Sequence, residues 1–205
     1  MTNIRAVLLD ADGVVQVMSP AWRASLEALC QDPVRVEDFL GEVFAAERPC
    51  TTGAVDFADT LAPVLQRWHV RASVAEALGI WTLIEPSTDV LALVERLRSA
   101  GVTVALATNQ QAHRARFMSE TLGYTARFDH LLYSCELGHA KPSPQYFGAA
   151  LSRLAMDPAQ TLFIDDAEAN VAAARAYGLN AEVYHVSEGT ERIRALLNGH
   201  GLDLG

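Results

Sequence analysis

Short apolar runs that alternate with amphipathic stretches constrain the fold of this chain more than any other feature of its sequence. Four runs, each rich in Val, Ile, Leu or aromatic residues, have the length of buried strands. They cover residues 4–9, 102–107, 130–133 and 161–164, and a weaker fifth run covers 181–184. Helical patterns accompany them at residues 90–100, 110–122, 143–155 and 167–177. This alternation predicts an α/β fold with a Rossmann-like parallel sheet and helices on both of its faces.

The segment 15–85 interrupts the alternation. Its patterns predict helices only, at about 20–30, 36–46, 56–70 and 72–78. A segment of roughly 70 residues exceeds an ordinary crossover connection between parallel strands. We therefore predict a small helical cap at 15–85, inserted after the first strand, and a core formed by residues 1–14 and 86–205. The alternative is that these helices belong to the outer layer of the core.

Composition and charge exclude several classes of protein. With 205 residues, 50% of them hydrophobic, the chain is long enough to fold without a structural metal or disulfide. Its formal net charge of −9 disfavours nucleic acid and anionic membrane surfaces as partners. The three cysteines have no regular spacing, which predicts reduced thiols. The sequence shows neither the apolar core of a signal peptide nor an apolar run long enough to span a membrane, so we expect a cytoplasmic protein. We expect a monomer or a homodimer.

Polar residues follow four of the predicted strands. In an open parallel sheet, ligands bind at the edge formed by the carboxyl ends of the strands. Taken singly, each cluster has a simpler explanation, such as a turn at Gly13, a helix N-cap or a solvated surface charge. Their conjunction favours a functional site. The clusters are Asp10 with Asp12, Thr108 with Asn109, Lys141, and Asp165 with Asp166.

Lys141 is the one lysine in the chain. The other 15 of the 16 Lys and Arg residues are arginines, so this protein uses arginine wherever it needs a positive charge alone. A lysine in this position indicates a site that requires a compact ammonium group, because a planar guanidinium has a different shape and hydrogen-bonding geometry.

Electrostatics indicate a divalent cation at this edge of the sheet. Two carboxylates about 4 Å apart repel each other by about 4 kcal/mol at an effective dielectric constant near 20. A single lysine does not offset four such groups. Mg²⁺ prefers oxygen ligands and commonly bridges one or two carboxylates to a phosphate, so we predict Mg²⁺ as the cofactor.

Four segments of the chain carry a resemblance to a known family. They are DADGVV at 10–15, ALATN at 105–109, KPSPQYF at 141–147 and FIDDAEANVAAAR at 163–175. In this order they resemble the four signature motifs of the haloacid dehalogenase-like superfamily. The best match is to phosphatase-type members with a small helical cap, including those similar to the N-terminal phosphatase domain of soluble epoxide hydrolase.

The resemblance implies catalytic roles for three residues. Asp10 corresponds to the nucleophile that attacks phosphorus and forms an aspartyl-phosphate. Asp12 corresponds to the acid that protonates the leaving oxygen and then, as a base, activates water. Lys141 stabilises the transferring phosphoryl group. Thr108 and Asn109 bind the oxygens of that group, together with Lys141.

The resemblance also implies a metal site. The side chains of Asp10 and Asp166 and the backbone carbonyl of Asp12 would bind Mg²⁺. Asp165 and Asn170 would lie next to these ligands and hold them in position. Whether Asp165 or Asp166 is the primary ligand stays open at this stage.

The activity implied is hydrolysis of small phosphorylated metabolites by a Mg²⁺-dependent phosphatase. One alternative is a phosphomutase of the same fold, which returns the phosphoryl group to its substrate. A haloacid dehalogenase is a second alternative, although a leaving halide needs no proton and Asp12 supplies one. A non-catalytic phosphate-binding protein is the third.

Overall fold

The computed structural model describes residues 3–203. Within that range the strands are β1 (Ala6–Leu9), β2 (Gln16–Met18), β3 (Ile84–Pro86), β4 (Thr103–Thr108), β5 (His130–Tyr133), β6 (Thr161–Asp165) and β7 (Asn180–Val183). The α-helices are α1 (Ala21–Glu27), α2 (Val36–Glu47), α3 (Phe57–Arg67), α4 (Val74–Gly79), α5 (Thr88–Ser99), α6 (Ala112–Glu120), α7 (Tyr124–Arg127), α8 (Ser134–Leu137), α9 (Pro144–Leu154), α10 (Glu168–Tyr177) and α11 (Thr190–Gly199).

Five strands form a parallel sheet in the order β5-β4-β1-β6-β7. The chain starts at the centre with β1, runs outward to β4 and β5, and returns to the other side of β1 with β6 and β7. The strand order therefore reverses at β1, and a ligand crevice forms at such a point outside the carboxyl ends of the strands. The predicted α/β fold with a Rossmann-like parallel sheet is confirmed.

Alternation along the strands distributes apolar side chains to both faces of the sheet. In β1, Val7 and Leu9 pack on one side with residues of α5, α6, α7 and α11. Ala6 and Leu8 pack on the other side with residues of α9 and α10. All four side chains are at most 1% exposed, as expected for the central strand of a sheet covered on both faces.

The helices α1 to α4 lie between β2 and β3 and have an apolar core of their own, separate from the two clusters on the sheet. We call residues 19–83 the helical insert. Trp81 is buried in its core, and Trp22 and Trp68 pack against that core. Side-chain caps define the starts of α3 and α4: Asp56 accepts a hydrogen bond from a backbone N–H, and Ser73 forms a capping box with Glu76.

The prediction that segment 15–85 contains helices only is wrong at its ends. Strands β2 and β3 pair antiparallel there, with Val17 opposite Glu85 and Met18 opposite Ile84. This two-stranded ribbon connects the helical insert to the sheet. A strand of three residues is too short to show period-two alternation, and its pairing partner lies far away in sequence, so the pattern gave no signal.

Among residues 3–203, no helix has both the length and the apolar character required to cross a bilayer.

Candidate active site

Asp10 directly follows the central strand and lies at the carboxyl edge of the sheet. The register aligns Leu9 with Leu106 on β4 and with Ile164 on β6, so the residues after these three positions meet. The backbone N–H of Asp10 donates to the carbonyl of Ile164 at 2.9 Å, which fixes it beside Asp165. Its side chain is only 11% exposed.

Lys141 lies beside Asp10, as expected from its position in the sequence. Its ammonium Nζ lies 2.9 Å from Asp10 Oδ1 and 2.5 Å from Asp165 Oδ2, and it donates to the carbonyl oxygen of Ala107 at 2.8 Å. The Ala107 and Asp165 oxygens accept hydrogen bonds from the ammonium, and the Asp10 carboxylate forms an ion pair with it. The residue is 5% exposed, so this compact cation neutralises charge inside the protein.

Burial and neighbouring charges oppose each other at this pair. The pKa of Asp10 is raised to about 6, chiefly because burial disfavours the charged form. Lys141 opposes this shift, and the charges of Asp165 and Asp12 add to it. For Lys141, burial alone would lower the pKa, but the adjacent carboxylates of Asp10 and Asp165 raise it above its usual value. The ammonium is therefore charged at neutral pH, and Asp10 needs further positive charge to be ionised at lower pH.

Three carboxylates gather at this edge. Asp10, Asp165 and Asp166 each place an oxygen within 4.8 Å of the others. Asp165 is fully buried, and both of its oxygens accept hydrogen bonds, from Lys141, from the amide of Asn170 and from the backbone N–H of Ala167. Asp166 is exposed and lies over Gly13, where an added Cβ would come within 2.6 Å of its Oδ2.

This set of donors fits a hard divalent cation. Three carboxylates against one ammonium leave an excess of negative charge, and all the available ligand atoms are oxygens. Burial and the charge of Asp165 raise the pKa of Asp166, and a cation at this place would favour the ionised form of that carboxyl group.

The side chain of Asp12 lies outside the acidic trio. Arg114 on α6 binds it through two parallel hydrogen bonds, from Nη1 to Oδ2 at 2.7 Å and from Nη2 to Oδ1 at 2.6 Å. The amides of Gln16 and Gln110 donate to the same two oxygens at 2.9 Å. The Asp12 side chain is 34% exposed, so it sits at the rim of the site with a defined orientation.

The loop after β4 contains Thr108 and Asn109. Thr108 is buried and its hydroxyl accepts a hydrogen bond from Gln110 at 3.2 Å. The amide group of Asn109 pairs at both ends with the backbone of Lys141, since its Nδ2 donates to the carbonyl and its Oδ1 accepts from the N–H, each at 2.8 Å. The side chain of Asn109 thus positions the loop that carries Lys141.

Comparison with known proteins identifies the family. A family model described as a haloacid dehalogenase-like hydrolase matches residues 4–178. This chain belongs to that family. The predictions of the family and of a hydrolase enzyme are therefore confirmed.

Two relatives and one solved structure illustrate the similarity. This hydrolase is 25% identical over 185 residues to the phosphoglycolate phosphatase of Xylella fastidiosa (strain 9a5c), covering 87% of this chain and 79% of that protein. It is also 25% identical over 213 residues to bifunctional epoxide hydrolase 2 of Mus musculus, covering 89% of this chain but 36% of that protein. A HAD family enzyme of Bacteroides thetaiotaomicron, in complex with magnesium and inorganic phosphate, shares the fold with a TM-score of 0.78 at 21% identity, covering 93% and 99% of the two chains.

Sequence reasoning missed several residues of the site in this hydrolase. Gln16 and Gln110 are buried amides, and Arg114 is a nearly buried cation. A signal for Arg114 exists in the helical pattern, because it lies three residues after Gln111 and four before Met118 and so occupies the buried face of α6. A charged side chain on the buried face of a helix is unusual and indicates a specific partner for that charge.

The helical insert contacts the sheet beside the site. The Ser134 hydroxyl on α8 donates to the carbonyl of Thr51, and Gly53 packs against the backbone of Cys135. Glu47, the last residue of α2, lies near Arg114 and Asp12. Burial raises the pKa of Glu47 to about 7, while Arg114 and a polar contact with the Trp81 indole lower it.

Proposed function

We propose that this hydrolase is a Mg²⁺-dependent phosphatase that cleaves small phosphorylated metabolites through an aspartyl-phosphate on Asp10. One observation supports this most strongly: Asp10 shares Lys141 with Asp165 at a buried edge where three carboxylates meet. That arrangement combines a nucleophile, a fixed cation and a set of oxygen ligands for a metal. The similarity to a phosphoglycolate phosphatase supports a phosphate ester as substrate.

Asp10 and Asp166 would hold Mg²⁺ through their side chains, and Asp12 through its backbone carbonyl. Asp166 suits direct ligation better than Asp165, because the oxygens of Asp165 are already used by Lys141, Asn170 and a backbone N–H. Asp165 and Asn170 then orient Lys141 and the loop after β6. When bound, the cation supplies positive charge to the phosphate oxygens and keeps Asp10 ionised.

The position of each side chain indicates the step that it would perform in the proposed reaction. A carboxylate oxygen of Asp10 attacks phosphorus, and Lys141 neutralises charge on the transferring phosphoryl group. The Thr108 hydroxyl and the backbone around Asn109 bind phosphoryl oxygens at the start of α6, while the Asn109 side chain holds Lys141 in place. Asp12 gives a proton to the leaving oxygen and later takes one from the attacking water.

Residues 15–85, which contain the helical insert, would serve as the cap of the enzyme, and residues 1–14 and 86–205 as its core. The separate apolar core of the helical insert and its connection through the β2–β3 ribbon support this division. Its contacts through Thr51 and Gly53 with Ser134 and Cys135 on α8 support a position beside the crevice, from which its side chains would select the organic part of a small phosphorylated substrate.

Release of inorganic phosphate from an aryl phosphate tests the proposal. Wild-type protein with Mg²⁺ should release phosphate, and Asp10→Asn should abolish release because an amide is not a nucleophile in this reaction. Asp38→Asn, an exposed aspartate on α2, is the matched control and should retain activity. Phosphate release that survives Asp10→Asn contradicts the assigned nucleophile. Turnover that requires a sugar bisphosphate identifies a phosphomutase instead, and chloride release from a 2-chloro acid identifies a dehalogenase.

A further inference from the structure

Arg114 is a buried cation to which the mechanism above gives no role. Its side chain is 9% exposed, and it lies on the face of α6 that packs against the sheet. Both terminal nitrogens bind the carboxylate of Asp12, at 2.6 and 2.7 Å. Paired contacts of this kind fix direction as well as distance, because the guanidinium and the carboxylate are both planar.

Four donors converge on Asp12. Oδ1 accepts from Arg114 and Gln16, and Oδ2 accepts from Arg114 and Gln110. Gln110 also donates to the hydroxyl of Thr108, which links this cluster to the loop after β4. The rotamer of Asp12 is therefore set by side chains from β2, from the loop after β4 and from α6, and not by its own backbone alone.

Stability gives a weak reason for this arrangement. A buried ion pair often adds nothing to stability compared with apolar side chains of similar size. The neighbouring positions on α6, Ala115 and Met118, are apolar and buried, so packing of this helix face does not by itself require a cation. Arg114 also leaves its buried Nε without an acceptor among residues 3–203, which is a cost. A functional reason fits these observations better.

We propose that Arg114 is a positioning residue that holds the Asp12 carboxyl group at the rim of the site and so determines how well this enzyme cleaves esters with poor leaving groups. For the transfer, one Asp12 oxygen exchanges its amide donor, Gln16 or Gln110, for a proton, and that proton passes to the leaving oxygen while the contact with Arg114 keeps the orientation of the group. This inference rests on the proposed phosphatase function. Arg114 acts through Asp12 and does not itself touch the phosphate, so its loss affects the chemical step that needs a proton donor and leaves phosphate binding intact.

Leaving-group dependence separates this role from a structural one. An alkoxide needs a proton to leave, whereas a nitrophenolate leaves readily without one. For Arg114→Met, kcat/KM for an alkyl phosphate should fall about 100-fold, within the range that general acids contribute. For p-nitrophenyl phosphate, kcat/KM should fall less than about tenfold. The Kd for inorganic phosphate should stay unchanged.

Two further variants connect the effect to Asp12. In an Asp12→Asn background, Arg114→Met should produce no additional loss with the alkyl ester, because the group that it positions is absent. Arg114→Lys keeps a donor within reach and should recover part of the activity, and it also serves if the Met variant does not fold. Arg98→Met removes another Arg–Asp pair of the core, with Asp129, and should leave the leaving-group dependence unchanged.

The results distinguish a failure of the proposed function from a failure of the role assigned to Arg114. If wild-type protein releases phosphate from neither ester, the proposed function fails, and the role of Arg114 fails with it. If the wild type is active but the Arg114 variants lose activity equally with both esters, only the positioning role is overturned. Additive losses in the Asp12→Asn background overturn it as well. A selective loss with the alkyl ester that disappears in that background supports it.

Discussion

At the scale of single residues, Lys141 accounts for much of the site. Its three short contacts, to Asp10, Asp165 and the Ala107 carbonyl, surround a point charge and leave little volume for anything larger. The ring of Phe163 lies 5.2 Å from the ammonium and closes another side. A guanidinium carries the same charge but is larger and planar, so it cannot satisfy these partners in the same space.

Lys141→Arg should therefore inactivate and destabilise the protein although charge is conserved. We expect the free energy of unfolding to fall by about 1–3 kcal/mol from overpacking. Phosphate release should fall at least about 100-fold, as when a group that stabilises transition-state charge is lost. Urea unfolding and a phosphate assay measure the two effects.

Replacement of an exposed arginine by lysine is the control. Arg153→Lys changes one partner of an exposed ion pair with Glu136 and should alter neither quantity measurably. Near-normal activity in Lys141→Arg would show that the shape of the cation is unimportant.

The sequence allowed some of these residues to be predicted and not others. Asp10 and Asp166 directly follow strands, so their convergence follows from the parallel sheet alone. Lys141 comes after β5 and α8, and the side chain of Asn109 holds its loop at the same edge. Arg114 and Gln110 contact Asp12 because of how α6 and the loop before it lie on the face of the sheet, and Glu47 comes close only through the docking of the helical insert. Such contacts depend on tertiary packing and not on a local pattern.

Glu47 predicts a dependence of stability on pH. Burial raises the pKa of this carboxyl from 4.5 to about 7, so the folded protein keeps its proton over a range where the unfolded chain has lost it. The folded state binds more protons between these values, and the contribution of Glu47 to the free energy of unfolding therefore decreases as pH rises from about 4.5 to 7. Below about pH 4.5 Glu47 is protonated in both the folded and the unfolded state, so it no longer makes stability depend on pH.

Glu47→Gln removes this penalty. The stability of the variant relative to wild type should increase from pH 4.5 to 7 and then level off, as measured by urea unfolding at several pH values. Glu37→Gln, at an exposed position on the same helix, should show no such trend. A constant difference between Glu47→Gln and wild type at all pH values would contradict the raised pKa.

At the scale of elements, long periodic segments were predictable and short ones were not. Helices α5, α9 and α10 and strand β5 lie within about two residues of the predicted bounds, because their apolar faces are continuous. Helices α7 and α8 have four residues each and were not predicted. A single turn carries too few residues to show a period, so only its packing defines it.

Gly53 tests a contact between two elements. It ends the 3₁₀ turn at Arg48–Thr52 with φ at 72°, and an added Cβ would overlap the carbonyl oxygen of Cys135 on α8. Gly101 has a similar φ of 82°, but no atom lies within 4 Å of its added Cβ. Both Ala variants experience left-handed strain of about 1–2 kcal/mol.

Gly53→Ala should therefore destabilise the protein clearly more than Gly101→Ala, since it also forces the helical insert away from α8. Thermal unfolding of the two variants gives the comparison, and phosphate release should fall only in Gly53→Ala. Equal losses of stability would mean that backbone conformation alone matters and that the contact with Cys135 is unimportant.

At the scale of the whole molecule, the architecture follows from the arrangement of apolar runs, and the site follows from the architecture. The parallel sheet and its two helical layers were predictable because βαβ units have few alternative arrangements. The two-stranded ribbon at the base of the helical insert was not, since its pairing is non-local. The orientation of the insert over the sheet depends on that ribbon and on the contact near Ser134.

Binding of Mg²⁺ by the folded state alone should stabilise the whole protein. At 100 times the dissociation constant, the free energy of unfolding should increase by about 2.7 kcal/mol. The acidic trio is the expected site, so Asp166→Ala should remove the effect of Mg²⁺ on the melting temperature, whereas Asp38→Asn should preserve it. If Mg²⁺ leaves the melting temperature of the wild type unchanged, that result contradicts the metal site.

In the proposed reaction Asp10 carries the phosphoryl group, and trapping that adduct tests this role most directly. In Asp12→Asn with p-nitrophenyl phosphate and Mg²⁺, the good leaving group departs without an acid, but the base for the second step is missing. Rapid acid quenching and peptide mass spectrometry should find one phosphoryl group on the peptide that contains Asp10, and none in the Asp10→Asn/Asp12→Asn double variant. A phosphoryl group on another residue, or sustained turnover with no adduct on Asp10, would contradict the account.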